Sequence, residues 1–462
     1  MNTPHPSPSA RALALQVLLD CQTRNAFVQE ILDQHLGRSH LSAPDRRLAT
    51  QLAYGVLRRR GTLDALLQPL VSRPRRNVEA WLWEALRLGA YQLTLLTHVP
   101  PHAALSETVE LAAVFRRPEA KGFLNGVLRA LSRLVTDDRT GAPAADALPL
   151  EAGAYRRLAR PVFADPAHYF TRYFASAFSF PEWLAERWAK RYSAEECLRL
   201  GWWFAGPAPL WLRCNPLKAG REQLLQAFAV AGIPAEPGEH PQSIRLGETR
   251  PVRELPGYAE GWFTVQDESS MRVAAALAPE PGATVLDLCA APGGKATHLG
   301  ELMRDSGRVA ACDVDERRLK TVAELAARLG LTCVETRRLR PGEAPPAGPF
   351  DAALVDVPCS NTGVLGRRPE VRWRLRTDDF THLTDLQTGL LHQACERVRP
   401  GGAVVYSTCS VEPEENGRLV CAFLERAPGV MLEAEEERTP GRPADGGYWA
   451  RLRRLPAKEV GR

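Results

Sequence analysis

Five short apolar runs, separated by longer amphipathic stretches, dominate the sequence after Pro281, and no other pattern restricts the fold of this chain as strongly. The runs ATVLDLCA, GRVAACD, LTCVET, FDAALVD and GAVVYSTC are small, β-branched or apolar, and too short for helices. Helical periodicity fills the gaps over 315–329 and 379–399. Parallel strands need a crossover helix between them, so this alternation predicts a doubly wound α/β sheet with mostly parallel strands.

The first run ends in Asp287-Leu-Cys-Ala-Ala-Pro-Gly-Gly-Lys295. Gly293 and Gly294 allow a tight turn and a close backbone approach to a ligand. The following helix would offer free N–H groups to a polar or anionic group. Asp313 ends the second run, where an acid can bind ribose hydroxyls. A glycine-rich turn alone is weak evidence, but the turn and acid at this spacing point to a nucleotide-like cofactor.

Two further runs end in cysteine. One continues as Asp356-Val-Pro-Cys359-Ser-Asn-Thr-Gly363, the other as Ser407-Thr-Cys409-Ser410. A lone cysteine is ordinarily inert core filler, and Cys21, Cys197, Cys214, Cys333, Cys395 and Cys421 suit that description. Cys359 and Cys409 both follow strands, at the end of the sheet where ligands of open α/β folds bind. Both are therefore expected to face the cofactor crevice, where a thiolate serves as a nucleophile.

The N-terminal region differs. Apolar residues recur at helical spacing, as in Ala12, Leu15, Leu18 and Leu19, then Leu48, Leu52 and Val56, with breakers such as Gly61, Pro69, Pro74 and Pro100-Pro101. Residues 1–135 are expected to form an all-helical domain. They hold 17 Lys and Arg against 10 Asp and Glu, a balance of +7 in a chain whose total is +5, which points to an anionic partner. An arginine-rich genome would give the same bias. Residues 136–175 lose periodicity, and Thr140 to Pro149 is rich in Ala, Pro and Asp, as a linker would be. Residues 176–275 are expected to be a small α+β domain, with a helix over Arg221 to Ala231 and an aromatic group (Phe178, Phe180, Trp183, Trp188, Trp202, Trp203, Trp211) that serves mostly as core or as a base-stacking platform. Residues 276–462 hold the α/β domain.

Ten cysteines without a CxxC pair do not make a disulfide framework, and no metal site is expected. Met1 to Ala10 is polar and proline-rich, unlike a secretory signal, and no apolar run approaches the ~18 residues of a membrane span. A cytoplasmic protein without a membrane partner is expected.

Taken in order, DLCAAPGGK, DVPCSNTG, RRPEVRW, YSTCS and PEEN resemble the Nop2/NSUN (Sun) family of RNA cytosine-5 methyltransferases. SAPDRRLATQLAYGVLRRRGTLD and KGFLNGVLRAL resemble the NusB-like RNA-binding domain, and the combination resembles the bacterial branch acting on small-subunit ribosomal RNA. The resemblance implies a Rossmann-like methyltransferase domain that binds S-adenosyl-L-methionine through Cys289, Ala290, Ala291, Pro292, Gly293, Gly294, Lys295, Asp313 and Asp356. It implies Cys409 as the nucleophile at carbon 6 of a cytosine, Cys359 as the group that helps remove the carbon-5 proton, and Asp356 as a contact to the base. The expected partner is ribosomal RNA, and the expected state a monomer. Two alternatives stay open: a non-catalytic ribosome-assembly or antitermination factor on the same fold, and an enzyme acting on transfer RNA.

The segment Gly366 to Arg376 supplies Arg367, Arg368, Arg372, Trp373 and Arg374, a composition suited to phosphate contact and stacking. Lys121, Arg129 and the Arg58–Arg60 run are further candidates for RNA contact. Two features depart from the family pattern. Arg338 stands where the family carries an acid toward the adenine of the cofactor, with Glu335 or Glu343 as substitutes, so weaker cofactor binding is expected. Asp445-Gly-Gly-Tyr-Trp449 replaces a phenylalanine-rich motif.

Overall fold

The computed structural model describes residues 9–456 apart from residues 25, 249 and 341; the polar stretch before Ser9 lies outside the described residues. The chain divides into two units, Met1–Pro207 with Leu365–Arg374, and Ala208–Val364 with Leu375–Arg462.

The first unit opens with helices Ala10–Thr23, Val28–Gly37, Ala43–Arg58, Arg60–Leu67, Ala80–Leu95, Pro101–Val114 and Lys121–Leu134. Their starts follow capping chemistry: Ser9 accepts from the Ala12 amide, and Ser42 accepts from Asp45, with Pro44 in the first turn. The apolar positions Leu15, Leu18, Leu52, Val56, Leu86 and Leu128 are buried. Gly55 is required by packing, because a Cβ there would lie 2.1 Å from Tyr91 Cζ.

The expected linker is instead folded. β1 (Val135–Thr140), β2 (Ala147–Glu151) and β3 (Ala154–Leu158) form an antiparallel sheet in the order β1-β3-β2. Ala147, Leu148, Tyr155 and Leu158 are buried, and Arg59 donates to the carbonyls of Pro149 (3.1 Å) and Leu150 (3.0 Å). Short length and mixed composition hid these strands because their stability comes from pairing and from one buried face. Helices Phe170–Ala177, Glu182–Ala189 and Ala194–Ala205 then complete the unit. Phe174, Phe178, Phe180, Trp188 and Phe204 pack ring against ring in its core, for example Phe178 on Trp202 at 4.9 Å between centroids. These aromatics are core.

In the second unit, β4 (Leu210–Cys214), β5 (Ala235–Pro237), β6 (Ser243–Leu246) and β7 (Phe263–Val265) form an antiparallel sheet in the order β5-β6-β4-β7. Leu224 and Phe228 of the helix Arg221–Val230 are buried in the same core as Leu212, Ile244 and Phe263.

The larger sheet contains β8 (Thr284–Asp287), β9 (Arg308–Asp313), β10 (Val334–Arg338), β11 (Phe350–Asp356), β12 (Val398–Thr408), β13 (Val430–Arg438) and β14 (Gly447–Arg454), in the order β10-β9-β8-β11-β12-β14-β13. The first five are parallel, as expected, while β14 is antiparallel to β12 and β13 to β14. Alternate residues enter two cores: Leu286, Ala310, Val355 and Val404 one, Val285, Val309, Leu354 and Val405 the other. Both faces are buried, which is why these strands are continuous apolar runs in the sequence. The order reverses at β8, so the carboxyl ends of β8, β9 and β11 border the crevice where ligands of such sheets bind. Among the described residues no helix is long and apolar enough to cross a membrane.

Candidate active site

The turn after β8 is built for close approach. Gly293 has φ +106°, and a Cβ there would come within 3.0 Å of the Val322 backbone, so glycine is required on two counts. The Ala290 amide donates to the Cys312 carbonyl at 2.9 Å, and the Ala291 amide donates to Asp313 Oδ2 at 3.1 Å. The Asp315 amide binds Asp313 Oδ1 at 3.0 Å, and Arg318 donates to the Ala291 carbonyl at 2.8 Å. Asp313 therefore braces the turn. Pro292 is exposed, Gly294 opens the helix Gly294–Leu302, and Cys289 is half-buried with its thiol pushed up by burial and by Asp287, Asp356 and Asp313.

Beneath this turn lies Asp287, which the sequence reading left out. It is fully buried, and neither carboxylate oxygen meets a hydrogen-bond partner. Burial, with the Asp356 and Asp313 charges, pushes its carboxyl up to about 8 although Lys295 opposes them. A buried acid with no side-chain partner, next to a glycine turn without side-chain bulk, fits the polar part of a nucleotide-like cofactor.

Lys295 reaches across to Asp356, Nζ to Oδ2 2.7 Å, and the Ser407 hydroxyl donates to Asp356 Oδ1 at 2.8 Å. Burial favours the neutral amine of Lys295, but Asp356 and, more weakly, Cys409 and Asp287 raise its pKa. The ammonium is thus close enough to Cys409 to stabilise a thiolate there.

The two cysteine loops converge. Cys359 Sγ and Cys409 Sγ are 3.3 Å apart, with Cys359 buried and Cys409 partly exposed. Cys359 is raised well above the ordinary thiol range, first by its hydrogen bond to Cys409, then by burial and the Cys409 and Glu415 charges. Of the pair, Cys409 is the sulfur that solvent and a substrate can reach.

Glu415, also unassigned by the sequence reading, pins both loops. Its carboxylate accepts from the Ser360 amide (2.8 Å), from the Ser410 hydroxyl (2.5 Å), from Gln387 (2.9 Å) and from the Ser360 hydroxyl. Asn416 accepts from Thr408 at 2.6 Å and donates to the Ser410 carbonyl at 3.0 Å. PEEN marked this pair as part of a motif without showing which loops it would clamp. At Gly363 a Cβ would lie 2.5 Å from the Gly446 carbonyl oxygen, which explains why glycine ends DVPCSNTG. Tyr448, from the altered aromatic motif, is buried beside Tyr406 and keeps the bulk.

Arg338 ends β10 paired in register with Asp313, and its exposed side chain binds Glu316 at 2.9 Å. Glu335 is engaged by Arg308 at 2.8 Å, and Glu343 accepts from the Arg340 amide at 2.9 Å.

The arginine-rich segment requires a correction. Leu365–Arg374 belongs to the first unit, and Arg372 and Arg374 are bound there to protein carbonyls. Arg372 is fully buried and donates to the carbonyls of Ser179 (3.0 Å), Leu365 (3.2 Å) and Phe204 (3.3 Å), with its guanidinium 4.7 Å over Phe180. Arg374 donates to the carbonyls of Cys21 and Ala26, both at 2.8 Å, and Arg24 at 3.2 Å. Arg368 lies 4.0 Å over the Phe27 ring. Trp373 is half-buried against Gly61, with Arg60 5.3 Å over its ring. Arg367 is half-buried in the same segment. Among the other candidates, Arg59 is buried, Arg58 donates to the Gly366 carbonyl at 2.9 Å, and Arg129 is hydrogen-bonded to Asn125 at 3.1 Å. Lys121 binds Glu110 at 2.8 Å on the surface.

Comparison with known proteins assigns residues 274–459 to a family described as 16S rRNA methyltransferase RsmB/F, residues 8–133 to the NusB family, and residues 180–253 to a ferredoxin-like domain of RsmF/B-like methyltransferases. A probable ribosomal RNA small subunit methyltransferase B of Synechocystis is 37% identical, covering 90% of this chain and 89% of that protein. A protein of the same description from Bacillus subtilis is 33% identical, covering 97% and 95%. The solved structure of a methyltransferase homologue from Pyrococcus horikoshii superposes with a TM-score of 0.53 at 27% identity, over 61% of this chain and 98% of that one.

Proposed function

The chain belongs to the RsmB/F family of 16S rRNA methyltransferases, and from that premise we propose that it methylates carbon 5 of a cytosine in small-subunit ribosomal RNA, with S-adenosylmethionine as donor and Cys409 as nucleophile. The observation that carries this reading is the thiol pair: two sulfurs 3.3 Å apart at strand ends, one partly exposed and one buried. Carbon 5 of cytosine is a poor nucleophile. The Cys409 thiolate forms a bond to carbon 6, which makes carbon 5 enamine-like, on a base taken out of its stack. As the thiolate adds, N3 takes a proton from water, and the Asp356 carboxylate accepts a hydrogen bond from that N–H and so keeps N3 protonated. The bound S-adenosylmethionine supplies an electrophilic methyl group.

The order of thiol chemistry follows from the coupling of the pair. While Cys409 is a thiolate, it keeps Cys359 protonated. Once the Cys409 sulfur is bonded to carbon 6, that charge is gone and Cys359 can ionise. It then takes the carbon-5 proton as the bond from Cys409 to carbon 6 breaks. Gly293, Gly294 and Lys295, the Ala290–Pro292 turn with Cys289, and Asp313 are the residues proposed to hold the donor. Of the arginine-rich segment, the partly exposed Arg367, Arg368 and Trp373 remain the proposed RNA contacts.

The test is a map of 5-methylcytosine in ribosomal and transfer RNA from cells with and without this gene. Loss of one modification in small-subunit ribosomal RNA is expected. Loss confined to transfer RNA would move the substrate, and no loss at all would overturn the reading.

Arg338 bears on donor affinity. A carboxylate accepting from the adenine amino group typically adds ~1.5–3 kcal/mol, and arginine cannot accept a hydrogen bond. Arg338→Asp is expected to tighten S-adenosylmethionine binding by roughly tenfold if half of that is recovered. Titration calorimetry on both proteins decides it; equal or weaker binding means another acceptor already serves the adenine.

A further inference from the structure

The turn after Cys359 contains a residue of DVPCSNTG to which the reaction outlined above gives no role. Asn361 sits with φ +58°, in the left-handed region that asparagine tolerates better than most residues. Its Nδ2 donates to the Cys359 carbonyl at 2.7 Å, which fixes the orientation of the amide. Its Oδ1 consequently faces Cys409 and accepts from the thiol, Sγ to Oδ1 3.2 Å. We propose that Asn361 is a positioning residue that holds Cys409 as the neutral thiol in the RNA-free protein, so that the nucleophile is released only when this hydrogen bond is broken.

The sign of the effect is set by the acceptor. An amide oxygen binds S–H and repels S⁻, so it favours the protonated form. Turning the amide over would present Nδ2 to the sulfur and stabilise the thiolate, but would set Oδ1 against the Cys359 carbonyl oxygen. The backbone of the neighbouring cysteine thus biases Asn361 toward the resting arrangement. The other groups around Cys409 mostly act the opposite way. The Cys359 thiol offers its proton, and Lys295, itself paired with Asp356, offers a positive charge; the Glu415 carboxylate lies behind Cys359. Release costs Cys409 one proton, which passes to water on its partly exposed side. The device keeps a 3.3 Å thiol pair from standing ionised when no base is present.

The inference rests on the reading of Cys409 as nucleophile, and its test is independent of methylation. The rate of Cys409 alkylation by iodoacetamide is followed against pH in the full-length protein without RNA, by peptide mass spectrometry, with the exposed Cys421 as internal reference. Asn361→Gly, which suits the positive φ, should lower the midpoint of the Cys409 profile and speed alkylation at pH 7 by roughly threefold to tenfold. Asn361→Asp, equal in shape but charged, should raise the midpoint and slow the reaction. An unchanged midpoint in Asn361→Gly, or shifts of the same sign in both variants, would overturn the proposal, the latter by exposing a merely structural disturbance. If methylation survives in Cys409→Ala, the assignment of the nucleophile fails while this thiol profile still stands or falls on its own.

Discussion

Cys409→Ala is expected to lose RNA methylation completely and to form no protein–RNA adduct, whereas Cys359→Ala is expected to accumulate a denaturation-resistant complex when RNA and S-adenosylmethionine are both present. The contrast follows from the geometry. The partly exposed sulfur can reach a base, and its removal deletes the bond to carbon 6. The buried sulfur, 3.3 Å away, acts after that bond has formed, so its removal stops the reaction at the adduct. Gel electrophoresis under denaturing conditions with labelled RNA separates the two outcomes. An adduct that requires Cys359 and survives loss of Cys409 would exchange the two roles.

Arg372→Ala is expected to destabilise the first unit by about 3 kcal/mol or more, since three buried carbonyls lose a donor and stranding each costs ~1–3 kcal/mol. For a unit of this size that is a fall in melting temperature of roughly 6–12 °C, read by calorimetry. Burial, with Arg58 and Arg59 nearby, depresses this guanidinium to about 9, so it is still charged at neutral pH and depends on those carbonyls. The slope of RNA affinity against salt should not change in the variant. If Arg372 contacted phosphate, stability would be little affected, and the slope would fall by about one.

The α/β sheet was legible because each central strand is buried on both faces and therefore appears as an unbroken apolar run. The seven N-terminal helices were legible from period and breakers. β1, β2 and β3 were not, since strands such as Val135–Thr140 are largely polar and gain their stability from partners distant in sequence. The closing hairpin of β13 and β14 escaped for a similar reason: Val430–Arg438 has four glutamates in nine residues, held by cross-strand arginines such as Arg451 and Arg453 on Glu433.

The sequence by itself determined the turn and the placement of the two cysteines at strand ends. Gly293 is dictated by its own backbone conformation, and cysteines placed directly after β11 and β12 must emerge at the same end of parallel strands. Those are local constraints, expressed in spacing and residue type. Only the tertiary structure decided which polar groups are spent on protein contacts. Arginines at Arg372 and Arg374 have the same composition as a phosphate-binding loop, yet they are consumed by carbonyls some 170 to 350 positions away. Asp287 looked like an ordinary strand end until both its oxygens proved buried and unpartnered, and Glu415 until four donors converged on it. A side chain's charge is written in the sequence, but its partner is chosen by whatever the fold brings within about 3 Å, and hydrogen bonding falls off too steeply with distance for the linear order to reveal it.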